Sequence, residues 1–163
     1  MRLPKRILAC TDFSIGGNEA VDYAIHLAAA LGAEVVIAHL FDGFVVMQRE
    51  LVRPPDDGEL ETRRLAGLSR LHELARRLAP ADGVGIRCVC EHGNPRSEIP
   101  RLAQREGADL IVLGRFGQSG VGHMFMGSVT DAIVRNASMP VLAVGDGTRA
   151  ERRAGDVTEA RRS

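Results

Sequence analysis

The sequence predicts an α/β domain: an open five-stranded parallel sheet with helices on both faces. Two observations predict it. Short apolar runs of strand length recur at 6–11, 34–40, 84–90, 109–114 and 140–145, and such runs, bounded by turn residues, mark strands buried on both sides. Between them lie longer segments with helical spacing, and strands that alternate with helices build a parallel sheet through right-handed crossovers. The composition agrees: of 163 residues, 45% are hydrophobic and 26% charged, enough for a core without disulfide staples.

The elements follow in order. After the first strand, Ala20, Tyr23, Ala24, Leu27, Ala28 and Leu31 form one apolar helical face, and Gly32 supplies the stop. The segment 41–57, which contains Arg53-Pro54-Pro55-Asp56-Asp57, reads as one long irregular connection. In the second helix Leu60, Leu65, Leu68, Leu71, Leu74, Ala75 and Leu78 make the stripe. Its arginines (63, 64, 70, 76 and 77) alternate with Glu59, Glu61 and Glu73 as a solvated face. Asn94-Pro95 reads as an N-cap with proline at the first helical position, although Pro100 implies either a kink or a later start. The fourth helix spans about 128–136, with Ser128 and Asp131 at capping-box spacing. Residues 1–145 are read as the domain and 146–163, with five Arg and four acids, as a disordered charged tail.

Charge and cysteine content exclude several classes. Twenty-one basic residues balance twenty-one acidic ones, and there are five Phe, one Tyr and no Trp, so no nucleic-acid partner is expected. Three cysteines are too few for a disulfide framework, and no run is long enough for a signal peptide or a membrane span. A cytoplasmic protein is expected. Cys88 and Cys90 share one face of a strand, but buried structural thiols are the simpler reading. The scattered histidines form no metal site.

Chemistry concentrates in 114–128, where a buried strand runs through a glycine-rich loop into a helix N-terminus. Glycines permit positive φ and close backbone approach, and a helix start offers unpaired N–H groups to phosphate. Ser128 adds a hydroxyl, Arg115 a charge, and His123 is a further candidate contact. On glycine content alone, a loop that binds nothing is an equal alternative. No Walker lysine follows Gly127-Ser128, and no dinucleotide fingerprint follows the first strand, where Thr11-Asp12-Phe13-Ser14 stands instead. Asp12 ends that strand, either as a ligand contact at the carboxyl edge of the sheet or as a cap for the first helix.

Several stretches together resemble the universal stress protein family. They are Ile7-Leu8-Ala9-Cys10-Thr11-Asp12-Phe13-Ser14, His39-Leu40, Gly93-Asn94-Pro95, Asp109-Leu110-Ile111-Val112-Leu113-Gly114 and Pro140-Val141-Leu142-Ala143-Val144. The nucleotide signature of that family is Gly, two residues, Gly, nine residues, Gly, then Ser or Thr, and Gly114, Gly117, Gly127 and Ser128 reproduce it. The resemblance implies a Rossmann-like sheet of order 3-2-1-4-5 and a homodimer formed through the last strand. It also implies ATP as ligand, with any Mg2+ held mainly by the phosphates and no metal ligand from protein side chains. By position, Thr11 and Asp12 would meet the adenosine portion and Leu40 the base. Gly114, Gly117, Gly127, Ser128 and Val129 would hold ribose and phosphates, with Arg115 beside them. The expected role is regulation through nucleotide occupancy, with at most slow hydrolysis. The alternatives are a scaffold that binds no nucleotide, and an adenylating enzyme, for which Ser14-Ile15-Gly16-Gly17-Asn18 would be the pyrophosphate loop.

Overall fold

A computed structural model describes residues 3–42, 45–47, 51–79, 83–117 and 127–145, with backbone alone for 45–47 and 51–53. His123 and the 146–163 tail lie outside the described residues. The strands are β1 (Arg6–Cys10), β2 (Glu34–Phe41), β3 (Val45–Met47), β4 (Leu51–Arg53), β5 (Ile86–His92), β6 (Leu110–Gly114) and β7 (Val141–Val144). The helices are α1 (Ile15–Leu31), α2 (Asp57–Leu78), α3 (Pro95–Glu106) and α4 (Ser128–Asn136).

Five strands form one all-parallel sheet in the order β5-β2-β1-β6-β7, which is 3-2-1-4-5 when its strands alone are counted. Alternation along β1 sends Ile7 and Ala9 to one face and Leu8 and Cys10 to the other. Ala20, Val21, Ala24, Ile25 and Ala28 of α1, with Leu71 and Leu74 of α2, cover the first face. Ile99, Leu102 and Ala103 of α3 and Ile133 of α4 cover the second. Both faces are therefore dry, which is why β1 and β6 read as continuous apolar runs. The thiols divide between the faces as well, with Cys10 on one and Cys88 and Cys90 on the other, all three free.

The helix ends obey local chemistry. Ser14 caps α1 by accepting from the Gly17 N–H, and Gly32 closes it at φ 63°. Asp56 and Glu59 form a reciprocal capping box on α2. Asn94 caps α3, which starts at Pro95 and continues through Pro100. This settles the open choice in favour of the earlier start, and the hydrogen bond that Pro100 cannot donate is given up inside the helix.

Several expectations need correction. Tyr23, expected in the apolar face of α1, is 50% exposed. The connection 41–57 is not wholly irregular: β3 and β4 form a two-stranded antiparallel ladder with Val46 opposite Val52, too short for its alternation to register as a period. Leu65 does not belong to the buried stripe of α2. It is 54% exposed, because the helix turns only Gly67, Leu71 and Leu74 fully inward. The capping box at the start of α4 does not form. Gly127 is the N-cap, Ser128 already lies inside the helix, and Asp131 instead pairs with Arg135 at 3.0 Å.

Candidate functional site

In this strand order the chain leaves β1 towards β2 on one side and later returns to β6 on the other. The carboxyl ends of β1 and β6 thus flank the point where the winding reverses, the place at which open α/β sheets hold ligands. A cavity of about 420 Å³ lies there, within the range of small-molecule sites. Of the residues singled out from the sequence, Thr11, Asp12, Leu40, Gly114, Gly117, Gly127, Ser128 and Val129 line it. Arg115 is not among the lining residues: its side chain is exposed, with the guanidinium 5.2 Å from the centre of the Phe116 ring.

The β1–α1 turn is held from within. The Thr11 hydroxyl donates to Asn18 Oδ1 at 3.0 Å and accepts the Phe13 N–H at 2.9 Å, so this buried side chain is committed to the turn. Asp12 Oδ1 accepts both the N–H and the hydroxyl of Ser14. Asp12 thus braces Ser14, the residue that caps α1, and also lines the cavity. Phe13 takes φ 63°, the left-handed region that a bulky side chain avoids. Its ring lies 4.4 Å from that of His39, with the Arg70 guanidinium 3.8 Å from its centre on α2.

The signature glycines serve close approach. None of Gly114, Gly117 and Gly127 has positive φ, contrary to the conformational role expected for the loop at these positions. A Cβ on Gly114 would stand 2.7 Å from the Gly16 carbonyl oxygen, so the end of β6 packs directly on the first turn of α1. A Cβ on Gly127 would stand 3.2 Å from the Arg115 carbonyl oxygen, which itself accepts the Gly127 N–H at 2.9 Å and ties the two ends of the loop together. Gly16 and Gly17 lie in the first turn of α1. A Cβ on Gly17 would meet Asp12 Oδ1 at 2.7 Å.

Several lining residues were not among the site residues expected from the sequence. Thr130, in the first turn of α4, donates its buried hydroxyl to the Gly114 carbonyl at 2.8 Å and joins the strand end to the helix start. His39 Nδ1 donates to the Thr11 carbonyl at 2.9 Å, and burial, with Arg70 nearby, lowers its pKa from the ordinary value. Cys10, Asp42, Pro95, Ile99, Leu113 and Phe116 complete the wall. Burial raises the Cys10 thiol to about 12, so it is protonated at neutral pH. Thr130 had a readable cue, its place as the third residue of a helix.

At the β2 side, the ladder fixes the orientation of the main chain. Thr11 N–H donates to Ala38 O, and the last pair with β1 is Cys10 with Ala38. Parallel strands alternate their bonding direction. Leu40 therefore turns its N–H and C=O to the same side as Ala38, beyond the end of β1. Its side chain joins Cys10 and Ile99 on the second face.

Fold and cavity define an open-sheet α/β protein with a cavity at the switch point of its sheet. The chain belongs to the universal stress protein family, whose model matches residues 4–145. It is 34% identical over 145 residues to universal stress protein YxiE of Bacillus subtilis, covering 85% of this chain and 97% of that protein. It is 32% identical over 146 residues to universal stress protein MJ0531 of Methanocaldococcus jannaschii, covering 87% and 82%. Among solved structures, a universal stress protein in complex with cAMP superposes with a TM-score of 0.64 at 25% identity, covering 88% of this chain and 98% of that one. UspA from Lactobacillus plantarum superposes equally well, at 0.64, with 24% identity and 86% and 97% covered.

Proposed function

We propose that this protein binds an adenine nucleotide, ATP among them, and acts as a regulatory protein through occupancy of that site. The observation that carries the reading is the cavity itself. Its walls bring the Asp12 carboxylate, the closely packed signature glycines and the N-terminus of α4 to one end, and the main-chain edge of Leu40 to the other. The N–H and C=O of Leu40 match the acceptor and donor that adenine presents side by side. The Asp12 carboxylate suits ribose hydroxyls, and the α4 N-terminus suits phosphate. The cAMP complex of a relative supports the same ligand class. Any Mg2+ would be carried mainly by the phosphates of the nucleotide.

The protein acts as a homodimer in the cytoplasm. Its β7 edge carries Val141, Leu142, Ala143 and Val144, all half-buried, and an apolar edge strand is suited to pairing with a second copy. No helix among the described residues is long and apolar enough to cross a membrane. Occupancy, not turnover, is the output. A purified rate above about 1 per second would overturn that part of the reading.

The test is the melting temperature with and without Mg-ATP, for the wild type and for Gly127→Glu and Ser128→Glu. A ligand that binds only the folded state stabilises it by about 2.7 kcal/mol at a hundredfold excess over Kd. A shift in the wild type that either folded variant loses supports the site. No shift at millimolar nucleotide, in protein free of carried-over ligand, overturns it and leaves a scaffold of the same fold.

A further inference from the structure

We infer that β5, at the opposite edge of the sheet from β7, is a second pairing surface, which fits β5 of another copy of this chain in antiparallel register about Val89. The direction of the β2–β5 ladder comes first. The Val35 N–H donates to the Gly85 carbonyl and the Gly93 N–H to the Phe41 carbonyl. Between them the register runs unbroken from Val35 with Ile86 to Phe41 with His92. In a parallel pair, alternate residues turn their main-chain groups to the partner. Gly85, Arg87, Val89, Glu91 and Gly93 therefore bond to β2, whereas Ile86, Cys88, Cys90 and His92 turn N–H and C=O outward. Among the described residues nothing bonds to that outer edge. The strand is seven residues long and has neither proline nor a bulge to blunt it. None of its residues lines the cavity, so the inference is independent of the nucleotide reading.

The sequence of the strand, Ile86-Arg87-Cys88-Val89-Cys90-Glu91-His92, is complementary to itself. Two copies related by a two-fold axis at Val89 set Arg87 opposite the partner's Glu91, at both ends of the ladder. Cys88 and Cys90, with outward main-chain groups, meet as hydrogen-bonded pairs. Arg87 with Glu91, and Val89 with its own copy, then fall at the non-hydrogen-bonded positions, where side chains come closest. The charges select this arrangement. A parallel copy would set Arg87 against Arg87 and Glu91 against Glu91, and like charges directly opposite are destabilising. A slip of two residues would leave Arg87 opposite Val89 or Gly93. Within the chain Arg87 pairs with Glu106 and Glu91 with Arg105, both of α3, yet the Arg87 and Glu91 side chains stay 58% and 39% exposed. Joining two edges therefore extends each ion pair into a row of four charges that alternate in sign, Glu106, Arg87, the partner's Glu91 and the partner's Arg105.

The experiment is sedimentation velocity over a range of concentrations for the full chain, Arg87→Glu, Glu91→Arg and an equimolar mixture of the two variants. Each variant alone places like charges at both ends of the ladder and should weaken association about tenfold. In the mixture every facing pair is again of opposite sign, so association should return. Loss of folding cannot produce that rescue. A second arm uses Val89→Cys, which puts two thiols on the two-fold axis at a separation that a disulfide spans. Under diamide it should give a cross-linked dimer on a non-reducing gel, well above the wild type treated alike. If the mixture sediments as the separate variants do, or if Val89→Cys cross-links no more than the wild type, the inference is overturned. Pairing through β7 and the nucleotide site stand apart from either result, because Arg87, Val89 and Glu91 belong to neither.

Discussion

Asp12 and Gly117 occupy one another's space: a Cβ on Gly117 would stand 2.8 Å from Asp12 Oδ2. The residues are far apart in sequence, at the ends of neighbouring strands, and the missing side chain of one makes room for the carboxylate of the other. Gly117→Ala should therefore displace the tip of a flexible side chain, with a stability cost below about 1 kcal/mol. Nucleotide affinity should fall several-fold. Unfolding and binding titrations on one preparation check both halves, and a variant with unchanged affinity would separate Asp12 from the ligand.

Gly114→Ala meets backbone instead, at 2.7–3.0 Å from Gly16 and Gly17. The end of β6 and the start of α1 would have to part, so this substitution should cost about 1–3 kcal/mol in urea unfolding even without ligand. Equal costs at positions 114 and 117 would contradict the distinction.

At Phe13 the usual order of glycine and alanine should invert. Both Phe13→Gly and Phe13→Ala lose the ring contacts with His39 and Arg70, but only alanine keeps the penalty of φ 63°. The glycine variant should be the more stable by about 1 kcal/mol. Arg70→Ala, which removes one exposed cation–π contact, should cost about 0.5–1 kcal/mol. Chemical unfolding of the three variants checks the series.

The depressed pKa of His39 sets an acid dependence. The unfolded chain takes up a proton at the ordinary value of 6.5 and the folded protein only at lower pH, so unfolding binds protons in that window. This contribution to stability is complete above pH 6.5 and declines as pH falls below it. It is separate from the loss linked to Asp109, whose carboxyl the Lys5 and Arg6 N–H groups hold below its ordinary pKa of 3.8. Melting temperatures between pH 7.5 and 5 should fall less steeply in His39→Gln than in the wild type.

Thr130→Val removes the hydroxyl that satisfies the Gly114 carbonyl while preserving shape. Thr130 is 4% exposed, and a part-buried carbonyl deprived of that partner should cost about 1–2 kcal/mol. Loss of stability in the ligand-free protein, measured calorimetrically, is the expected outcome.

Much of the fold was legible because it rests on local chemistry. Two-sided burial writes strands as apolar runs, and the caps at Gly32 and Asn94 need only their neighbours. The two-stranded β3–β4 ladder was not legible, because three residues do not establish a period. Nor was the true N-cap of α4: Ser128 and Asp131 have capping spacing, but where the helix begins depends on the Gly127 amide bonding back to Arg115.

The site divides in the same way. The sequence by itself determined the spacing of Gly114, Gly117, Gly127 and Ser128, the absence of Lys and Arg from 116 to 134, and the run that ends at Asp12. Only the tertiary structure decided what those residues do. It placed the Gly117 backbone against Asp12, closed β6 onto α1 at Gly114, put His39 behind Thr11 and left Arg115 outside the cavity lining. Chain-local patterns encode which groups are available, whereas contacts between residues a hundred positions apart arise only when the crossovers bring the carboxyl ends of β1 and β6 side by side.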